Sequence, residues 1–315
     1  MRTLSRRDKV VLGVLLGVPL LVDLVFVWFP AFATIALSFT KWSGVNGVNF
    51  FKPCKAGGLP GVPHPGCFFG TQNYHQAFNS GITPDFRPAV EHNAIWLLVF
   101  ILIATPLGML FAVVIDRGIA GSRIYQSVLF LPVMLSLALI GIIWELIYSQ
   151  NLGLVNTLIG RNGNGNAIDW LGNPHLNLWS VLVEATWRQA GYVMVLYLAG
   201  LKAVDSTLRE AAVIDGSNGW QTFWRVIFPV MRPINIVVLV VTVIESLRAF
   251  DLVYITSKSN VLPGLELLSI SITQNIVGET QRIGFGSALG VVLLVISLVP
   301  ISIFLYQNFR VEEKR

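Results

Sequence analysis

The sequence predicts an all-α membrane protein of six transmembrane helices with both termini cytoplasmic. Three observations carry this. Of 315 residues, 54% are hydrophobic and 12% charged, and the mean hydropathy of +0.68 lies well above the balance of a soluble domain. Six apolar stretches, near 10–39, 90–115, 124–148, 178–201, 234–255 and 285–307, are each long enough to cross ~30 Å of hydrocarbon as a helix. With the N-terminus inside, the segments 1–9, 116–123, 202–233 and 308–315 hold 13 of the 22 Lys and Arg, the positive-inside asymmetry. The net charge of +5 could suggest nucleic acid. The cations instead sit in short clusters beside apolar runs rather than along one face, so topology accounts for them and no nucleic-acid partner is expected.

The first run follows Arg2, Arg6, Arg7 and Lys9 and is longer than the apolar core of a signal peptide, so it reads as an anchor. Pro19, Asp23 and Pro30 within it predict a kinked or two-part segment whose polar groups face protein. The segment 41–89 is an extracytoplasmic loop. It carries the only cysteines, Cys54 and Cys67, in "FKPCKAGGLPGVPHPGCFFG", which Gly and Pro should keep irregular. An oxidising compartment favours a disulfide here, worth on the order of 3 kcal/mol in the chain-entropy model. His64 and His75 lie nearby, but the spacing matches no usual zinc finger and no metal site is expected. The loop "IGRNGNGNAIDW" (159–170) reads as a turn. No outside loop is long enough for a folded domain, so capture of a dilute solute needs a separate protein.

The chain lacks a phosphate-binding loop, a zinc-protease helix and a nucleophile elbow. His64, His75, His92 and His175 all fall in outside loops or at a span mouth. No catalysis and no cofactor bound by this chain are expected.

Between spans four and five lies "REAAVIDGSNGWQTFWRVIFPVMRP" (209–233). Thr207 and Glu210 have capping-box spacing, which predicts a helix starting near residue 207. Gly216 should stop it after barely two turns. A helix so short needs a docking partner to be stable, and Ala211 and Ala212 permit close approach. Trp220, Phe223, Trp224, Ile227 and Phe228 then recur as an amphipathic stripe that Pro229 should end. A hairpin on lipid headgroups and a protein-docking surface both fit this pattern.

Ionisable residues inside spans usually face the bundle or a water-filled path. Span four carries Glu184 and Arg188 four apart, followed by Gln189 and Tyr192. Span five carries Thr242, Glu245, Ser246, Arg248 and Asp251. Internal ion pairs and a solute path are both compatible with them.

The segment 202–233 resembles the EAA loop of ABC-importer permeases, through Glu210, Ala211, Ala212, Gly216, Ile227, Phe228 and Pro229, with Phe228 where that family usually has Leu. "FFGTQNYHQAF" (68–78), "LFLPVMLSLALIGIIWELIYSQNLGLVNTLI" (129–159) and "AFDLVYITS" (249–257) resemble elements of the maltose-type carbohydrate branch. The resemblance covers about 65–310 and departs at the cysteine insert and at "SKSNVLPG" (257–264). It implies a single permease domain, 1–315, of the ABC type I importer fold in a bacterial inner membrane, surrounded by lipid. Its partners would be a second homologous permease, two cytoplasmic ABC ATPase subunits that use ATP and Mg, and an extracytoplasmic solute-binding protein. Glu210, Ala211, Ala212, Asp215 and Gly216 would form the coupling helix seated on an ATPase. Arg188, Gln189, Tyr192, Thr242 and Ser246 would line the sugar path, with Ala185 unable to donate a side-chain hydrogen bond and Trp187 a candidate wall. A glycerol-phosphate-type solute would suit Arg188 with Arg248, and an ion-coupled secondary transporter would have no use for an ATPase dock.

Overall fold

The computed structural model describes residues 5–45, 47–54, 66–79, 86–161, 166–256, 262–278 and 281–312. The chain falls into two compact units, Met1–Thr83 with Ile272–Val292, and Pro84–Ser271 with Leu293–Arg315.

In the first unit, α1 (Arg6–Asp23), a π turn (Leu24–Trp28) and α2 (Phe29–Ser38) run on as one helix. The expected two-part segment is therefore continuous, and its most apolar stretch is not buried by the rest of the chain. Asp23 does not turn to protein for a partner; its carboxylate accepts from the Trp28 indole Nε1 at 3.1 Å, across the π turn. Three strands follow, β1 (Thr40–Lys41), β2 (Val48–Pro53) and β3 (Gly66–Phe68), in the order β1-β3-β2. β3 pairs antiparallel with β1 and parallel with β2. The flanks of the cysteine loop are thus a small sheet rather than irregular chain, because Val48, Asn49 and Pro53 of β2 find partners in Gly66, Cys67 and Phe68 of β3. Cys54 and Cys67 are joined by a disulfide with Cα atoms 5.1 Å apart. The Gly- and Pro-rich middle, with His64, lies outside the described residues.

The sheet leads into α3 (Gln72–Phe78). Asn73 is buried and its Nδ2 donates to Ser38 O and Thr40 O, both at 2.8 Å. The Tyr74 hydroxyl lies 2.7 Å from Ser38 Oγ. The "FFGTQNY" element therefore closes the carbonyl end of α2, where a helix leaves unpaired acceptors. In the same unit Gly284 N donates to Trp42 O at 3.0 Å. A Cβ on Gly284 would collide with Thr40 O, so only glycine allows this approach.

The second unit opens with α4 (Phe86–Val99), a π turn (Phe100–Ala104) and α5 (Thr105–Asp116), again one long helix. The expected third span, 124–148, is broken. α6 (Ser122–Met134) and α7 (Leu137–Ile147) meet at 102°. Leu135 is extended, and Ser136 caps α7 by accepting from Leu139 N at 3.2 Å, so a side chain rather than the preceding helix satisfies that amide. α8 (Leu154–Leu158) is a single short turn on the way to α9 (Asn177–Ala203). At 27 residues, α9 is roughly 40 Å long. The glycine-rich loop contributes residues 162–165 to the undescribed part.

Next come α10 (Ser206–Ile214), α11 (Gly219–Thr222), a π turn (Phe223–Ile227) and α12 (Phe228–Val230). α13 (Arg232–Leu247) and α14 (Asp251–Thr256) follow. The amphipathic helix ends at Val230, one residue beyond Pro229, before a 76° bend into α13. α15 (Leu268–Ile276) and α16 (Ile283–Glu312) complete the chain; residues 257–261 of the segment that departs from the carbohydrate branch lie outside the described residues.

One rule explains the three π turns. Proline lacks an N–H and its ring clashes with the carbonyl four residues back, so the turn before it widens. Phe29, Thr105 and Phe228 each immediately precede a proline and donate five residues back, to the carbonyls of Leu24, Phe100 and Phe223. Pro19, Pro132 and Pro300 sit inside helices without this adjustment.

Within the second unit α9 is central, packing against α5, α6 and α13. Gly108 of α5 lies so close to Ala190 O and Val193 that any Cβ would clash, the small-residue contact typical of membrane helices. One core cluster surrounds Trp96, Ile140, Leu182 and Leu267, and a second surrounds Val193, Met194, Ile227 and Met231.

Candidate functional site

Two places in the second unit gather the residues singled out in the sequence. The first is α10 and its flanks. Asp205, not Thr207, is the N-cap, accepting from Thr207 N at 3.0 Å, and the helix starts at Ser206. The expected capping box is not made there because the extended Asp205, two residues earlier, takes the N-cap position. That hydrogen bond and one from the Thr207 side chain hold the Asp205 carboxyl below the usual range. A capping box does form one helix later. Asn218 accepts from Gln221 N at 2.9 Å, and Gln221 Oε1 accepts from Asn218 N at 3.1 Å.

Gly216 ends α10 with φ of +78°. Gly216 N donates to Val213 O and Ser217 N to Ala212 O, each at 3.0 Å, which is the Schellman pattern. Ser217 Oγ adds a hydrogen bond to Ala212 O and lies 2.7 Å from Thr222 Oγ1, stitching α10 to α11. Ala212 is buried, whereas Glu210, Ala211, Val213, Ile214, Asp215 and Gly216 are exposed. The exposed side thus mixes two carboxylates, Glu210 and Asp215, with two large aliphatic side chains, Val213 and Ile214. Behind it, Trp220, Trp224 and Phe228 form a run of ring contacts at 5.6 and 4.9 Å. Trp220 is 71% exposed, while Ile227 enters the core.

The second place is a narrow cleft with a cavity volume of about 40 Å³, lined by Trp96 and Phe100 of the long α4–α5 helix, Leu137 of α7, Ala185 and Arg188 of α9, and Glu245, Arg248 and 249–252 at the end of α13 and start of α14. Arg188 Nη1 donates to Glu245 Oε2 at 3.4 Å. The ion pair therefore crosses between helices, and the in-helix pairings suggested by Glu184–Arg188 and Glu245–Arg248 spacing are not formed. α13 brings Glu245 to within reach of Arg188 by packing on α9, which sequence spacing cannot register. Arg248 and Asp251 complete the charged lining.

Of the residues expected on the solute path, Arg188 lines this cleft. Gln189 is 1% exposed, and neither of its amide atoms has a partner among the described residues. Thr242 is buried with its hydroxyl 3.4 Å from that of Thr105, and Ser246 Oγ is spent on Val243 O. Tyr192 is half-buried on α9. Trp187 packs edge-on against Trp144 at 5.9 Å. The aromatic walls Trp96 and Phe100 were not singled out in the sequence, since an aromatic residue inside an apolar run carries no distinguishing signal there; Phe250 belongs to the "AFDLVYITS" element, which gave it no role in the path.

Residues 104–313, two thirds of the chain, match the family described as binding-protein-dependent transport system inner membrane component. The chain belongs to that family. An osmoprotective compounds uptake permease protein of Synechocystis sp. is 30% identical over 78% of this chain and 88% of its own length. An alpha-glucoside transport system permease protein of Rhizobium meliloti is 31% identical over 76% of this chain and 71% of its own. A trehalose/maltose transport system permease protein of Thermococcus litoralis is 27% identical over 91% and 90%. Among solved structures, a bacterial ABC transporter involved in the import of alginate matches with a TM-score of 0.76 at 20% identity, over 97% of this chain and 96% of that one. The protein is therefore a multi-pass inner-membrane permease of the ABC importer fold, a transport component rather than an enzyme. Among the described residues, three helical stretches, Val11–Ser38, Phe86–Asp116 and Ile283–Ser302, are long and apolar enough to span a membrane, and the two bent pairs raise this to five. α9, with Glu184 and Arg188 inside it, is long enough but more polar.

Proposed function

We propose that this permease translocates a sugar or oligosaccharide, handed over by a solute-binding protein, in an ATP-driven importer completed by a second permease and two ABC ATPase subunits. The observation that carries the choice of solute is the charge balance of the cleft. Arg188 and Arg248 face Glu245 and Asp251, so the lining is formally neutral. An anion such as a glycerol phosphate would find Arg188 already engaged by Glu245. A neutral polyol finds hydrogen-bonding groups of both signs, including the buried Arg188 Nε, beside the ring faces of Trp96, Phe100 and Phe250. The named relatives that handle trehalose, maltose and alpha-glucosides support the same reading. For the drive, the exposed side of α10 supplies a rigid, capped surface of the kind an ATPase cleft would seat. An ion-coupled carrier has no need of one.

The test is hydrolysis by the reconstituted complex with its binding protein, challenged with maltose, trehalose, xylose and glycerol 3-phosphate. Stimulation by a neutral sugar and not by glycerol 3-phosphate is expected; the reverse order would refute the sugar assignment. Uptake by the purified permease in vesicles lacking any ATPase would refute the drive.

A further inference from the structure

Asp116 is the last residue of α5 and only 9% of its side chain is exposed, yet it bonds to two other elements at once. Its Oδ2 accepts from Arg209 Nη1 of α10 at 2.8 Å, and its Oδ1 lies 3.3 Å from Lys202 Nζ in the last turn of α9. The same Arg209 guanidinium reaches on with Nη2 to Leu201 O at 2.9 Å. Leu201 O is one of the terminal carbonyls that a helix cannot satisfy internally, and a cation is favoured at that end. Only the planar fork of arginine spans a carboxylate and a carbonyl together. The end of α5 is thereby tied at one point to the consecutive helices α9 and α10, 93 positions on from Asp116 to Arg209.

We propose that Asp116 is a positioning residue that couples α10 to the end of α9, so that displacement of α10 reaches the Arg188 cleft along α9. The inference rests on the ATP-driven reading above. It adds a route. From Leu201 to Arg188 is one uninterrupted helix of roughly 20 Å. The path through α11, α12 and α13 crosses a π turn and a 76° bend. A stroke delivered at α10 through Arg209 acts directly on the helix that carries Arg188, whereas the bent path can absorb it. Arg117, beside Asp116, is exposed and cannot substitute, since it carries the wrong charge for Arg209 and Lys202.

The test places a reporter cysteine at Ala249→Cys, in the cleft lining; the two native cysteines are already paired. The complete importer is purified with its ATPase subunits. The rate of modification by a methanethiosulfonate reagent is then read with and without ATP plus vanadate. With the parent reporter, the two states should differ by about tenfold. In Asp116→Asn the difference should shrink to about twofold while co-purification of the ATPase and basal hydrolysis persist. Arg209→Lys, which keeps the charge but loses the second bond, should show an intermediate response and decides the matter if Asp116→Asn does not assemble. A parent-like response in the assembled variants overturns the coupling role of Asp116 alone. No ATP-dependent change in the parent reporter overturns the ATP-driven reading itself.

Discussion

The α10 segment and the cleft are built by opposite means. α10 is defined by bonds between residues a few positions apart: Asp205 to Thr207, Ser217 to Ala212, Asn218 to Gln221. The cleft is defined by residues 57 positions apart in Arg188 and Glu245, and by walls drawn from helices spread along the chain. The first region carries its shape in its own sequence and presents it outward. The second exists only when α9 and α13 pack. Damage to the first should therefore disturb communication with a partner, and damage to the second should disturb the solute and the bundle together.

The largest expected effect breaks the local region. Gly216→Pro removes the N–H that bonds Val213 O and cannot reach φ of +78°, a combination worth about 3 kcal/mol or more. ATPase co-purification, or the coupling of hydrolysis to uptake, should be lost with binding-protein affinity unchanged; Glu210→Lys should act in the same direction through the exposed surface. Gly216→Ala is the graded version. A Cβ there meets nothing within 4 Å, so only the left-handed backbone cost of about 1–2 kcal/mol applies, and thermal unfolding should report a small loss with partial coupling.

Next in size is the cross-helix pair. Arg188→Met strands a partly buried Glu245, at about 1–3 kcal/mol, and should lower both Tm and uptake. Adding Glu245→Met should restore Tm without restoring uptake. Recovery of uptake in that double variant would show the pair to be a staple only and would remove the cleft from the solute path.

Gln189→Ala sharpens the boundary of the cleft. Its amide has no partner among the described residues, so deletion should change stability by less than about 1 kcal/mol. Lower uptake with normal assembly would extend the solute path from Arg188 to Gln189; normal uptake would confine it to the lining observed.

The smallest effect is on pH. Asp205 is held below its ordinary pKa by Thr207. Its contribution to the start of α10 is therefore fully present above the unfolded value of about 3.9 and disappears as pH falls through the lower folded value. Hydrogen exchange at Thr207 should accelerate only in that acidic window, and not in Asp205→Asn, which caps without titrating.

Much of this was legible in the residues. The apolar runs, the glycine stop at Gly216, the short helix before it and the permease resemblance all rest on local composition and spacing. The misreadings were local competitions settled by a neighbour. Asp205 took the N-cap position two residues before Thr207, Ser136 broke a run that hydropathy alone would carry through, and Phe228 met Pro229 by widening a turn before the helix ends at Val230.

The sequence by itself determined that the chain enters the membrane and where the short helix α10 stops. Periodicity, caps and transfer free energies act within a few residues, so they can be read in order. Only the tertiary structure decided that Arg188 pairs with Glu245 rather than with Glu184, that Trp96 and Phe250 wall the same cleft, and that Asp116 holds Arg209 and Lys202. A charge inside a bundle takes whichever partner packing brings within reach, and that distance is set by how α5, α9, α10 and α13 pack against one another.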